Sequence, residues 1–207
     1  MGVGDYPPLI DMADRLYLSL WFPSFSEDEM LAKMLCVMQQ FPFAAEGPGI
    51  GYLAVHPISW NEPVVYQETF DYGTAPERAV ETAGEFLHDD NAYEFEALWD
   101  LWAPDQDAIW VRAPRPVGFL AHGLNFDEGA YEHEGHVQVD FGLDTPFLYE
   151  DVKLTPLSEA RVRDNVQKLV DFTNAVEKNC GTSARLLWSE SEENLAQKLI
   201  ARLQKVQ

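Results

Sequence analysis

Tyr93–Trp102 reads YEFEALWDLW and is followed by the acidic turn Ala103–Asp107 (APDQD) and the run Ala108–Ala113 (AIWVRA). Two periods compete in it. Phe95, Leu98, Trp99 and Trp102 fall at helical spacing, whereas Phe95, Ala97, Trp99 and Leu101 alternate with Glu94, Glu96 and Asp100. Aromatic density and the turn chemistry of APDQD decide for a strand that enters a hairpin with Ile109–Arg112. The stretch is then the strand where a first α/β unit closes and a β-meander begins.

Toward the N-terminus, Arg15–Phe22 alternates Leu16, Leu18, Leu20 and Phe22 against Tyr17, Ser19 and Trp21, which predicts a strand. Ser26 and Glu29 have the S-x-x-E spacing of a capping box, ahead of a helix carrying Met30, Met34, Leu35, Met38 and Phe41 and stopped by Pro42. Ile50–Val55 and Val64–Phe70 read as strands. Thr74 and Pro76 open a second helix with Val80, Ala83, Phe86 and Leu87 on its apolar face. Residues 1–14, with Pro7-Pro8, read as an N-terminal arm.

Toward the C-terminus, Val117–Ala121, His136–Leu143 and Phe147–Val152 read as strands. Ser158 opens a long helix that Gly181 closes, Ala184–Trp188 is a strand, and Ser191 caps a last helix. The fold class is therefore α+β: a ferredoxin-like βαββαβ first half, an antiparallel meander, and a βαβα second half that suggests a worn duplication. No linker divides the chain. Residues 15–207 read as one α+β domain, with 15–102 and 103–207 as its subdomains.

Charge narrows the functions. The chain carries 35 acidic and 14 basic residues, a formal net charge of −21. That field opposes nucleic acid and anionic membranes as partners and favours a basic protein. Between Glu85 and Asp151 sixteen carboxylates face two arginines, Arg112 and Arg115, whereas nine of the fourteen basic residues lie between Lys153 and Lys205. No apolar run approaches the roughly 18 residues of a membrane span. The start, MGVGDYPPLIDMADR, lacks a basic region and an apolar core. Cys36 and Cys180 form no C-x-x-C pair and read as unpaired thiols, which places the chain in the cytoplasm.

Nucleophile and phosphate motifs are absent, and Gly47–Gly51 (GPGIG) precedes a strand where a phosphate loop would open a helix. Asp127–His136 (DEGAYEHEGH) is the most suggestive local cluster of metal-ligand types, with His133 and His136 three apart among carboxylates. Its spacing matches neither H-E-x-x-H nor a finger. His88-Asp89-Asp90 reads as a polar helix end. Trp99, Trp102 and Trp110 interleave with Asp100, Asp105 and Asp107, an aromatic anchor in an acidic rim. The expectation is a non-enzymatic, inhibitor- or immunity-like protein with no cofactor that binds a basic partner through Asp100, Trp102, Asp105 and Asp107. The competing readings are a metal-dependent hydrolase using His133 and His136, and a small-molecule binder with a pocket beneath the meander.

Overall fold

In the computed structural model, which describes residues 14–149, 154–190 and 194–204, the central stretch is a strand. The elements are β1 (Arg15–Trp21), α1 (Glu27–Gln39), β2 (Ile50–Pro57), β3 (Tyr66–Thr74), α2 (Pro76–Gly84), β4 (Asn91–Pro104), β5 (Trp110–His122), α3 (Tyr131–Glu134), β6 (Val137–Leu143), α4 (Thr145–Leu148), α5 (Pro156–Cys180), β7 (Ala184–Ser189) and α6 (Leu195–Gln204). The seven strands form one sheet in the order β3-β2-β4-β5-β6-β1-β7, and every pairing is antiparallel. The fold is α+β, and β4-β5-β6 is the expected meander.

One face of the sheet is apolar at every strand. Leu16, Leu18, Leu20, Leu53, Val55, Phe95, Trp99, Phe119, Val137 and Val139 are buried there together with Met30, Met34 and Met38 of α1 and Val166, Leu169 and Phe172 of α5. Period two in the strands and helical spacing in α1 and α5 thus supply complementary faces. Phe41, just past α1, locks the layers: its ring meets Trp99, Phe119 and Phe172 edge-on at 5.1–5.4 Å.

Several expectations need correction. The βαββαβ order is present, but its strands do not build a ferredoxin-like sheet. β1 sits between β6 and β7, far from β2, β3 and β4. The halves also differ in connectivity, since β2 and β3 are adjacent whereas β6 and β7 are separated by β1. Alternation reports which strands exist, not which neighbours they choose. Trp110–Arg112 of the first expected run and Val117–Ala121 are one strand, β5. Phe147 and Leu148 belong to α4, and residues 150–152 of that expected strand lie outside the described residues. Ser26 is the N-cap of α1, but its side chain makes no cap bond. The reciprocal box sits instead at α5, between Thr155 and Ser158. The arm at 1–13 and the Ser191 cap are outside the described residues. Cys36 and Cys180 are not free: they form a disulfide from α1 to α5. The thiol argument for a cytoplasmic setting falls with this link, because disulfides persist mainly in oxidising compartments.

β4 is longer than its neighbour. It pairs with β5 from Ala92 to Pro104, but with β2 only from Asn91 to Ala97. Beyond Ala97 its free edge presents backbone groups that must be satisfied. Ala44 N–H donates to the Leu98 carbonyl at 2.7 Å, and Lys168 Nζ donates to the Asp100 carbonyl at 2.7 Å. The Asn165 amide closes the series. Its Oδ1 accepts from Trp102 N–H and its Nδ2 donates to the Trp102 carbonyl, both at 2.9 Å, so a fully buried side chain imitates a neighbouring strand.

Asn165→Leu should therefore cost roughly 2–5 kcal/mol in urea unfolding, because it strands both Trp102 backbone groups. A loss below 1 kcal/mol would show that water replaces the amide. Reducing the Cys36–Cys180 link should lower stability by about 2–4 kcal/mol, and a thiol assay of the unfolded, unreduced protein should find no free cysteine.

Candidate functional site

The opposite face of the sheet carries the polar partners of the same strands. Paired residues in an antiparallel sheet share a face, so the register places Tyr52, Glu96, Gly118, Asp140, Tyr17 and Trp188 in one row across six strands. Tyr17 and Trp188 stack at 4.6 Å. The next row brings Ala54, Glu94, Leu120, Gln138 and Ser19 together.

A cleft of ≈ 530 Å³ opens beside this row, where β6 leaves β5. The two strands pair only over Gly118–Ala121. Gly142, at φ +74°, turns β6 aside, and Asp140 Oδ1 accepts the Gly142 N–H at 2.8 Å. On β5 the amides facing β6 belong to even-numbered residues, as His122 N–H donating to the His136 carbonyl shows. Pro114 and Pro116 fall on that parity and have no N–H, so the parted edge of β5 lacks those donors.

The cleft is lined by Pro116 and by the core residues Leu101, Val117 and Phe141, together with Glu94, Glu96, Arg15, Arg115 and Tyr149. The Arg15 guanidinium donates to Asp140 Oδ2 from Nε, at 3.1 Å, and from Nη2. His56 Nε2 lies 2.9 Å from Glu94 Oε2. Glu96 makes no hydrogen bond or ion pair among the described residues. Desolvation, and then the neighbouring Glu94 charge, push its carboxyl above the usual range. Tyr149 is likewise raised by burial, against the opposing pull of Arg115.

Histidines close one end of this face. His56 and His122 lie on either side of Ala92 in one row, with Trp60 edge-on to both rings at 4.9 and 6.2 Å. His122 is fully buried. Its Nδ1 donates to the Gly135 carbonyl at 2.9 Å, and Nε2 stands 3.3 Å from Glu134 Oε2 without hydrogen-bond alignment. His122 is also the main reason that the Glu134 carboxyl lies below its usual range. The adjoining loops are strained: Ile58, Asp127 and Glu128 have positive φ. Backbone bonds of 2.7 Å from Ile58 N–H to Asp90 and from Asp127 N–H to Ile58 hold the first of them.

The residues singled out by sequence are placed as follows. Trp102 is half-buried. Its Nε1 donates to Asp164 Oδ2 at 2.8 Å, and Arg112 and Arg161 lie over its ring at 4.9 and 4.4 Å. Asp100 Oδ2 accepts from Ala45 N–H, and Asp105 Oδ1 accepts from Asp107 and Ile109 N–H to organise the hairpin turn. Asp107 is exposed at that turn. His133 is exposed on α3, while His136 stacks on Phe25 at 4.2 Å and its Nδ1 accepts from Phe22 N–H at 3.0 Å. Among the described residues no three His, Cys, Asp or Glu side chains gather as a metal site. His88 Nδ1 accepts from Asp90 N–H within a local turn.

Sequence reasoning missed Glu94, Glu96, Asp140 and Arg15 as a group. The alternation placed each on a strand face, but only the strand order brings them together. No family model, curated protein or solved structure matches the chain.

Desolvation, and then the His122 charge, lower the His136 pKa from 6.5 to about 4. The proton would have to occupy Nδ1, where the Phe22 N–H already points. The unfolded chain therefore binds this proton first, so the contribution to stability is full above about pH 6.5 and is lost as pH falls toward 4. The His136 C2–H resonance should titrate near pH 4. Stability lost between pH 7 and pH 4 should be about 1–3 kcal/mol smaller in His136→Gln than in the parent chain. Equal losses in the two proteins would assign the acid sensitivity to other groups.

Proposed function

We propose that this chain is a non-catalytic acidic binding protein, inhibitor- or immunity-like in mode, that captures a basic protein on the open face of its sheet. One observation carries the reading: Glu96 is partly desolvated beside Glu94, on the margin of a cleft, and has no cationic partner within the described chain. A carboxylate held in that state gains from an incoming cation twice, by direct attraction and by relief of its repulsion with Glu94. The net charge of −21 extends the attraction beyond contact distance and steers a basic partner inward.

The binding surface in this reading is the open sheet face, not the hairpin. Trp102 is engaged with Asp164, Arg112 and Arg161, so its ring serves the junction of β4 with α5. Asp100 and Asp105 hold backbone amides, which leaves Asp107 as the freest carboxylate of that set. Glu94, Glu96 and Asp140 instead share one face and adjoin an apolar recess, the combination that an interface anchor needs.

A peptide of alternating lysine and glycine is a defined probe. Titrated into isotopically labelled protein, it should shift amide resonances of Tyr52, Glu96, Gly118 and Tyr17, with affinity falling as salt shortens the screening length. Glu96→Gln should weaken binding about tenfold, whereas Asp107→Asn should change it less than twofold. Shifts confined to the 105–109 turn, or insensitive to Glu96→Gln, would overturn this assignment.

A further inference from the structure

We infer that the cleft beside Gly118 is an arginine pocket. It takes one guanidinium side chain of the basic partner, with the head group at Glu96 and the aliphatic stem along Pro116, an exposed ring on the same face of the sheet. The inference rests on the reading of the open face as a surface for a basic protein, and it specifies the chemistry that this surface selects.

Gly118 lies in mid-strand, in the row between Glu96 and Asp140, and its φ is not in the positive region that favours glycine. An added Cβ would meet only Asp140 Cβ at 3.7 Å, an ordinary contact. Neither backbone geometry nor packing therefore demands glycine here, and glycine weakens a strand interior. What the missing side chain does provide is open floor between two carboxylates, where another group can approach the backbone closely.

A guanidinium is already present in the cleft. Arg15 reaches Asp140 with both Nε and Nη2, showing that a planar fork fits the cleft and finds its carboxylates. Asp140 is satisfied by that bond, and Glu94 is engaged by His56. Glu96 is left for the incoming group. An ammonium is a compact, strongly hydrated charge that gives up more in a half-enclosed cleft, whereas a guanidinium is more weakly hydrated and can lie flat on the Gly118 peptide. The aliphatic stem can lie along the exposed ring of Pro116, which lines the cleft together with Glu96.

The cleft is continuous with a neighbouring recess. A second recess of ≈ 310 Å³, bordered by Gly49, Gly51, Tyr52, Asp71 and Gly73, meets the first at Glu96 and Pro116. Together they form a trough crossing β5, β4, β2 and β3. With strands spaced about 4.8 Å apart, its small-residue floor leaves room for several residues of extended chain on one side of the anchoring arginine.

The test uses three pentapeptides, acetyl-Gly-Gly-X-Gly-Gly-amide with X as arginine, lysine or citrulline, titrated into the full chain and followed by amide chemical shifts. The arginine peptide should bind at least tenfold more tightly than the lysine peptide, and the neutral citrulline peptide should give no saturable shift. Gly118→Val should remove the arginine preference while leaving thermal stability unchanged or higher. Gly118→Ala, whose added methyl makes only an ordinary contact with Asp140 Cβ, is the milder variant and should lose several-fold affinity. Equal binding of the arginine and lysine peptides, unaffected by either substitution, would overturn the pocket and leave the basic-partner reading standing. Absence of open-face shifts with both the alternating lysine–glycine probe and the arginine peptide would overturn both.

Discussion

The unsatisfied edge of β4 is the constraint from which the rest of the architecture follows. A strand of 14 residues has backbone groups to pair on both sides, and β2 covers only the first half of one side. The remainder is capped by pieces drawn from elsewhere: the turn after α1, Lys168, and the Asn165 amide. Because Asn165 and Lys168 both belong to α5, satisfying that edge fixes where the long helix crosses the sheet. Asn165 also donates to the Pro146 carbonyl, so the same side chain sets the position of α4 at the margin of the cleft. The disulfide between α1 and α5 then ties the two helices that cover the apolar face.

With helices on one face, the other is left to the residues that alternate outward. In an ordinary half-covered sheet that face is a scatter of solvated polar groups. Here the strand order concentrates it. Two carboxylates of β4, Glu94 and Glu96, and one of β6, Asp140, flank β5 in adjacent rows, and the mid-strand glycine of β5 lowers the surface between Glu96 and Asp140. The parting of β5 and β6 adds depth. Two prolines on β5 and a left-handed glycine on β6 produce it, each by removing or redirecting a ladder bond. The features that interrupt regular pairing are thus the ones that create the recess.

The histidine end of the face has a different character. It is built from strained loops and closed by an indole, with an imidazole buried completely beneath it. His136 is held neutral by burial and by its bond from the Phe22 backbone, and His122 is aimed at a carboxylate. These groups stabilise and orient the 123–136 loop against the sheet. They form a structural boundary to the acidic cleft, which the Glu94–His56 contact joins to it.

Much of this protein was legible locally. The alternation of Arg15–Phe22 and His136–Leu143 identified strands, as aromatic density and the following turn did for Tyr93–Trp102, and parity also named the residues that face the core, because a strand's two faces are set by parity alone. Helical spacing located α1 and α5, and Gly181 marked the end of α5 through the left-handed conformation it adopts at φ +67°. What parity could not contain was adjacency. Whether β1 pairs with β4 or with β6 depends on which edge is left free after the meander forms, a property of the whole sheet. The disulfide, the Asn165 bridge and the group formed by Glu96, Gly118 and Asp140 all join residues distant in the chain, and no local period records them. The sequence by itself determined the class of elements, their inward faces and the negative field. The tertiary structure decided which carboxylates meet, because pairing long strands at a common edge is a global hydrogen-bonding problem with no signature in any single window.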